Sequence, residues 1–158
     1  MIFSYNDSNL VDPILLDRFL INAKELDVDL IRDRENNIYI CGVMEHIEEA
    51  GIHSGDSSCS IPPYSLSPKM IEEIERQSKI IAKALNVIGI MNIQFAIQND
   101  NIYVLEVNPR ASRTVPFVAK SSGIQIAKVA TKVIMGKNLK EFKNLVNYRD
   151  LKFFSVKE

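Results

Sequence analysis

The sequence predicts an α+β fold, a mostly antiparallel sheet packed against helices. Three observations predict it. Segments 26–45 and 90–107 each read as two strands joined by a polar turn. An amphipathic helical pattern lies between them, from Ser67 to Leu85. Two further helical stretches follow Thr114. The 158 residues, 46% of them apolar, suit one domain, or one domain plus a tail.

The elements follow in order. Residues 1–13 mix apolar and turn-forming types. ILLDRFL, 14–20, suits a strand or a short helix. LDVDLI, 26–31, alternates strictly, with Leu26, Val28 and Leu30 on one face and Asp27 and Asp29 on the other, as in a half-buried strand. RDRENN, 32–37, is a polar turn, and IYICGVME, 38–45, is the returning strand. Residues 46–65 form a long connection rich in Gly, Ser and Pro. Ser67-Pro68 then starts a helix, Ser as N-cap and Pro at the first helical position. Ile71, Ile74, Ile81, Ala82 and Leu85 recur at helical spacing over about five turns. IMNIQFAI, 90–97, and IYVLEV, 102–107, are partner strands. A helix after Thr114 breaks at Ser121-Ser122-Gly123, and another, roughly 124–135, ends at Gly136. Residues 137–158 are charged and weakly patterned.

Composition excludes several function classes. The formal net charge is −1, and no basic block interleaves with aromatics, which argues against nucleic acid. No apolar run reaches membrane-spanning length and no signal-like segment follows Met1, so the cytosol is expected. Cys41 and Cys59 lack a CxxC or a histidine at zinc spacing and read as buried free thiols. Met135-Gly136-Lys137 is no phosphate loop, because the Gly-rich stretch before the lysine is absent.

The strongest chemical signal is VLEVNPRASRTVPF, 104–117, where an apolar run delivers Glu106, Asn108 and Arg110 in alternation. Ile93, Phe95 and Ile97 share one strand face, and Tyr103, Leu105 and Val107 share another. For both sets to join one core, directly opposed residue numbers must sum to an even number. A three-residue loop, 99–101, satisfies this and pairs 97 with 103, 95 with 105 and 93 with 107. Gln94 then opposes Glu106, and Asn92 opposes Asn108. Such a cluster of oxygen donors suits Mg²⁺, and Arg110 suits a phosphate or carboxylate. A solvated polar face is the other reading of the same residues.

MNIQFAI and NIYVLEVNPRASRTVPFVAKSSG resemble the metal-binding heart of the ATP-grasp enzymes. With GVMEHIEEAGIHSGDSSCS and GIQIAKVATKVIMGK, they are most similar to the second ATP-grasp half of the carbamoyl-phosphate synthetase large chain, densely over residues 14–138. The resemblance implies the C-terminal lobe of an ATP-grasp domain, with ATP and Mg²⁺ or Mn²⁺ as cofactors. It implies Gln94, Glu106 and Asn108 as metal ligands, the first two also near the nucleotide phosphates. It implies Arg110 as the catalytic arginine at the transferred group, Glu25 on the ribose hydroxyls, and Arg18 and Leu20 beside the adenine. Gly51, Ile52, His53 and Ser54 would form a nucleotide-contacting loop. Arg113 reads as a substrate contact or a surface residue, and His46 as structural.

The activity implied is ATP-dependent ligase chemistry, phosphorylating carbamate to carbamoyl phosphate for arginine and pyrimidine synthesis. The implied partners are the remainder of the large chain (lid lobe, first half, regulatory domain) and the glutaminase small subunit. Residues 1–136 then read as a partial ATP-grasp domain without its lid lobe, and 137–158 as a tail toward a further domain. A fragment of this kind is expected to be inactive alone. The alternatives are another ATP-grasp carboxylate–amine ligase and a non-catalytic nucleotide-binding or interaction module.

Overall fold

The computed structural model describes residues 3–5, 14–16, 18–52 and 56–158. Strands β1 (Phe3–Tyr5) and β2 (Ile14–Leu16) form a two-stranded antiparallel ribbon, so the ambiguous 14–20 segment opens as a strand. Strands β3 (Lys24–Arg32), β4 (Ile38–Glu49), β5 (Cys59–Ile61), β6 (Gly89–Gln98), β7 (Asn101–Asn108) and β8 (Ser155–Lys157) build one sheet. Its order is β7-β6-β3-β4-β5-β8, with every neighbouring pair antiparallel. Helices α1 (Pro68–Ala84), α2 (Val115–Ser122) and α3 (Ile126–Ile134) complete the α+β fold that the sequence predicts.

Alternation on the strands makes the core. Leu26, Val28 and Leu30 of β3 are fully buried with Met91, Ile93 and Phe95 of β6 in one apolar cluster. Helix α1 starts as expected: the Ser67 side chain accepts from the Met70 amide at 3.2 Å, with Pro68 at the helix start. Ile74, Ser78 and Ala82 are its buried stripe, and Ile71 and Ile81 pack beside it. Leu85 departs from the expected stripe. It is the C-cap and is 54% exposed, because the chain turns away at Asn86, φ 50°.

Two polar devices hold the ends of the sheet. Arg32 and Asp33, expected in a solvated turn, are 4% and 1% exposed. Arg32 donates to the Val87 carbonyl at 2.6 Å and to the amide oxygens of Asn36 and Asn86, both at left-handed φ. Asp33 accepts from the amides of Glu35, Asn37 and Leu139 at 2.8–2.9 Å, tying residues beyond Gly136 to the β3–β4 turn. These later residues pack onto the domain: Leu139 and Tyr148 are buried, and β8 pairs with β5.

Glu45 is the second device. It is fully buried and accepts from the amides of Tyr64 and Ser65, each at 2.9 Å, and from the Ser65 hydroxyl. Glu45→Ala strands those donors and leaves Lys24, 3.8 Å away, without its carboxylate. A loss of about 3 kcal/mol is expected in thermal unfolding. An unchanged midpoint would show that solvent replaces the carboxylate.

The β6–β7 hairpin differs from the expected loop. Gln98 pairs with Asn101, so the turn has two residues, Asn99 and Asp100, with φ 50° and 61°. Two consecutive left-handed residues make a turn whose twist matches the flanking strands, and Asn and Asp tolerate that region. A two-residue turn alone would put the apolar sets on opposite faces. The chain corrects this with a β-bulge: Phe95 opposes Val104, Gln94 opposes Glu106, and Leu105 is left over. Beyond the bulge, the pairs 94/106, 93/107 and 92/108 are those expected. Before it, Tyr103 opposes Ala96 and shares the face of Gln94, not that of the core.

Cys41 and Cys59 are buried free thiols, as expected. Gly42 lets α2 close on β4: a Cβ there would meet Ile61 Cδ1 at 2.5 Å and Val118 Cγ1 at 3.0 Å. No described helix is long and apolar enough to cross a membrane.

Candidate functional site

The three strands β3, β6 and β7 place their polar residues in rows, because opposed residues share a face. One row is Glu25, Ala96 and Tyr103. The next is Asp27, Gln94 and Glu106. The third is Asp29, Asn92 and Asn108. Successive rows lie two residues apart, about 7 Å along a strand. The exposure changes across each row. Asp27, Asp29 and Asn92 are at most 1% exposed, Gln94 and Asn108 are half-buried, and Glu106 is open. The face thus runs from a buried polar floor at β3 to an accessible edge at β7.

The expectation that β3 is half-buried needs correction. Asp27 and Asp29 are covered and fully engaged. The Asn92 amide donates to Asp27 Oδ1 at 2.9 Å and to Asp29 Oδ1 at 3.0 Å. His46 Nε2 lies 2.7 Å from Asp27 Oδ2. Ser112 donates to Asp29 Oδ1 at 2.8 Å, and Thr114 to Asp29 Oδ2 at 2.7 Å. The physical reason is that Asn92 of β6, His46 of β4 and, for Asp29, Ser112 and Thr114 of the segment after β7 supply the hydrogen-bond partners that buried carboxylates need.

Charge in this floor is set by environment. Burial lifts the Asp29 carboxyl to about 6, against hydrogen bonds from Thr114, Asn92 and Ser112 that lower it and with a small push from Asp27. At His46, burial works against the imidazolium. The hydrogen bond to Asp27, with help from Cys59, outweighs it and raises the group to about 10. The hydrogen bond to Asp27 thus favours the protonated form of His46.

A concavity of about 100 Å³ opens over this floor, lined by Asp27, Asn92, Gln94, Glu106, Asn108, Arg110, Ser112 and Arg113. It gathers the three residues expected to hold a metal and Arg110, whose guanidinium donates to its neighbour's carbonyl, Ala111 O, at 3.0 Å. Arg113, left open between two readings, also lines it. Glu25 sits one row further along the same face, 5% exposed, and accepts from the Gly51 amide at 3.3 Å. Gly51 has φ 112°, a conformation that suits glycine. Ile52 is exposed beside it. Arg18 is exposed and Leu20 half-buried in the irregular stretch before β3, and neither lines the concavity. His53 and Ser54 lie outside the described residues.

Reading the sequence missed Asp27, Asp29, Ser112 and Thr114 as parts of the site, and left His46 as merely structural. The alternating aspartates of LDVDLI were the available signal. Their partners come from β4, from β6 and from the segment after β7, and no local pattern identifies those partners.

Comparison with known proteins gives the family. Residues 5–142 match the family described as carbamoyl-phosphate synthase L chain, ATP binding domain. The chain is 60% identical over 141 residues to the carbamoyl phosphate synthase large chain of Xanthomonas axonopodis pv. citri, covering 86% of this chain and 13% of that one. It is 60% identical over 129 residues to the large chain, C-terminal section, of Aquifex aeolicus, covering 82% of this chain and 24% of that one. The chain therefore spans a minor part of the length of these relatives. Among solved structures, Rhizobium etli pyruvate carboxylase superposes with a TM-score of 0.74 at 19% identity, over 92% of this chain and 13% of that one. The biotin carboxylase domain of a thermophilic 2-oxoglutarate carboxylase, bound to ADP without magnesium, superposes with a TM-score of 0.69 at 19% identity, over 90% and 31%. These two matches establish a shared fold. With 138 of its 158 residues inside the matched span and its polar strand face assembled as described, the chain belongs to the family of carbamoyl-phosphate synthase large-chain ATP-binding domains.

Proposed function

We propose that this chain is the nucleotide- and metal-binding lobe of the second ATP-grasp half of a carbamoyl-phosphate synthase large chain. In the whole enzyme that half transfers a phosphoryl group from ATP to carbamate. The observation that carries the reading is the pairing of Gln94 with Glu106 and of Asn92 with Asn108 above a buried acidic floor. The similarity to a relative described as a C-terminal section supports the second half rather than the first.

The donor set fits Mg²⁺ or Mn²⁺. Glu106, Gln94 and Asn108 offer hard oxygens on adjacent strands, and Mg²⁺ commonly takes one or two carboxylates with phosphates and water completing the shell. Among the described residues, no group of three His, Cys, Asp or Glu forms a metal site by itself. Glu106 is the one carboxylate in the proposed set, which suits an ion whose remaining ligands are phosphates and water. When bound, the ion would neutralise phosphate charge as a Lewis acid.

The chain's own residues do the rest by positioning. Arg110 holds the transferred group, with Arg113 next to it. Glu25, presented with the Gly51 amide, accepts the ribose hydroxyls. Arg18 and Leu20 flank the adenine, and Gly51, Ile52, His53 and Ser54 contact the nucleotide. The lid lobe, the first half, the regulatory domain and a glutaminase subunit supplying ammonia are the partners in this reading.

Isolated, the lobe is expected to bind nucleotide without completing catalysis. Pockets that enclose a small-molecule ligand are about 300–1,000 Å³, and this concavity is about 100 Å³. A nucleotide there keeps one side in water, and exclusion of water is part of what a phosphoryl-transfer site needs. Calorimetric titration with a non-hydrolysable ATP analogue, with and without Mg²⁺, tests the reading. Mg²⁺-dependent binding is expected, and Glu106→Ala should weaken it about tenfold or more. Binding of equal strength in Glu106→Ala, or binding indifferent to Mg²⁺, would overturn the metal assignment. Carbamoyl phosphate formed by the chain alone would overturn the need for a covering lobe.

A further inference from the structure

We propose that Asp29 is a positioning residue that acts through Ser112 and Thr114 to set the loop carrying Arg110 and Arg113. The inference rests on the function proposed above and adds to it a residue outside the nucleotide and metal contacts.

The geometry is a two-point clamp. One carboxylate oxygen accepts the Ser112 hydroxyl at 2.8 Å and the other accepts the Thr114 hydroxyl at 2.7 Å. Arg113 lies between the two clamped residues, and Arg110 is two residues before the first. Asp29 is fully buried and Thr114 is 2% exposed, so water does not compete for the Thr114 bond, while Ser112 is half-buried at the rim of the concavity. Asp29 is itself held on a central strand, paired to Asn92 on one side and Gly42 on the other. The clamp therefore transfers the rigidity of the sheet to an exposed loop.

Thr114 departs from its usual local role. It stands at the N-cap of α2, where a threonine hydroxyl ordinarily accepts from a helix amide. Here its side chain makes no capping bond and turns to Asp29 instead. A local rule broken in favour of a distant contact is a mark of a positioned site. The other ties within the loop are local: the Arg110 amide donates to the Asn108 carbonyl at 2.8 Å, the Arg110 guanidinium donates to the Ala111 carbonyl at 3.0 Å, and the Ser112 and Thr114 hydroxyls touch each other. None of these relates the loop to β3. The two hydroxyl bonds thus relate the segment that carries both guanidinium groups to the strand beside Gln94.

The test uses the chain with Ser112→Ala/Thr114→Val, with Thr114→Ser as the conservative control. Two readouts are taken. The first is backbone hydrogen exchange at 110–113, referred to the amides of 26–30 in β3. The second is the affinity ratio between a non-hydrolysable ATP analogue and ADP, both with Mg²⁺, because the arginines lie toward the transferred group. In the double variant, exchange at 110–113 should rise about tenfold or more relative to β3, the consequence of losing two charge-assisted bonds. The affinity ratio should fall toward one, and Thr114→Ser should preserve both readouts. Exchange that rises equally in loop and strand, or a ratio that survives the double variant, would overturn the proposal. If the unaltered chain binds neither nucleotide, the functional reading fails, and the exchange comparison still decides the clamp.

Discussion

Asn92→Leu is expected to remove about 3–5 kcal/mol of folding stability, although leucine is close to asparagine in size. The single Asn92 amide nitrogen donates to Asp27 and to Asp29, and all three groups are at most 1% exposed. Leucine removes both hydrogen bonds and leaves two buried carboxylates facing an apolar group. Removing one partner of a buried charged network typically costs about 3–5 kcal/mol, because the remaining group keeps its desolvation penalty. Domains hold roughly 5–15 kcal/mol in total. At this chain length the loss lowers the melting temperature by roughly 6–20 °C. Differential scanning calorimetry at neutral pH measures it. A midpoint within about 2 °C of the unaltered chain would mean that the carboxylates find other donors, and that the network described here is not what holds β6 to β3.

The local elements of this fold were legible in the sequence because short-range physics determines them. Ser67-Pro68 marks a helix start by its capping chemistry, and LDVDLI marks a strand by its alternation. The metal-side register was legible for a different reason. A hairpin that buries both apolar sets needs an even register sum, and with a short loop after Gln98 that condition opposes Gln94 to Glu106. The turn itself was not legible. A three-residue loop and a two-residue turn followed by a bulge reach the same register from Gln94 and Glu106 onward, and they differ in the pairs between the turn and the bulge, where Val104 rather than Leu105 opposes Phe95 and Tyr103 opposes Ala96. The bulge adds twist and moves one residue out of the ladder on an edge strand, where an unpaired residue reaches water. The floor of the site was illegible because its contacts are distant in sequence, 19 positions for His46 with Asp27 and 63 to 85 for the rest. Alternation alone sends Asp27 and Asp29 to solvent, and only their partners on β4, β6 and the segment after β7 show that they are covered. A similar failure befell Arg32 and Asp33, whose polar run reads as an exposed turn until their partners at Val87 and Leu139 are seen.

The same floor makes a pH experiment informative. Burial raises the Asp29 carboxyl from its ordinary 3.8 to about 6. Between those values the folded chain keeps a proton on Asp29 that the unfolded chain has lost. Stability rises with pH only where the unfolded state holds more protons. Here the folded state holds more, so the contribution of Asp29 to stability falls as pH rises from about 4 to about 6. The total is about 3 kcal/mol, from 1.36 kcal/mol for each pKa unit. Asp33 and Glu73, whose carboxyls are held below their ordinary values, act in the opposite direction and mask this trend in the chain itself. The difference between the chain and Asp29→Asn isolates it. Asparagine carries no titrating proton, and whatever its altered hydrogen bonds cost is constant with pH. Urea unfolding from pH 4 to 7.5 should show the unaltered chain losing about 3 kcal/mol relative to Asp29→Asn, most of it before pH 6.5. A difference that stays flat across this range would mean that Asp29 is ionised throughout, stabilised by Thr114, Asn92 and Ser112 enough to cancel its burial. A difference that grows in favour of the unaltered chain as pH rises would place the folded-state carboxyl below 3.8, and the floor would then be a stabilising anion site rather than a strained one.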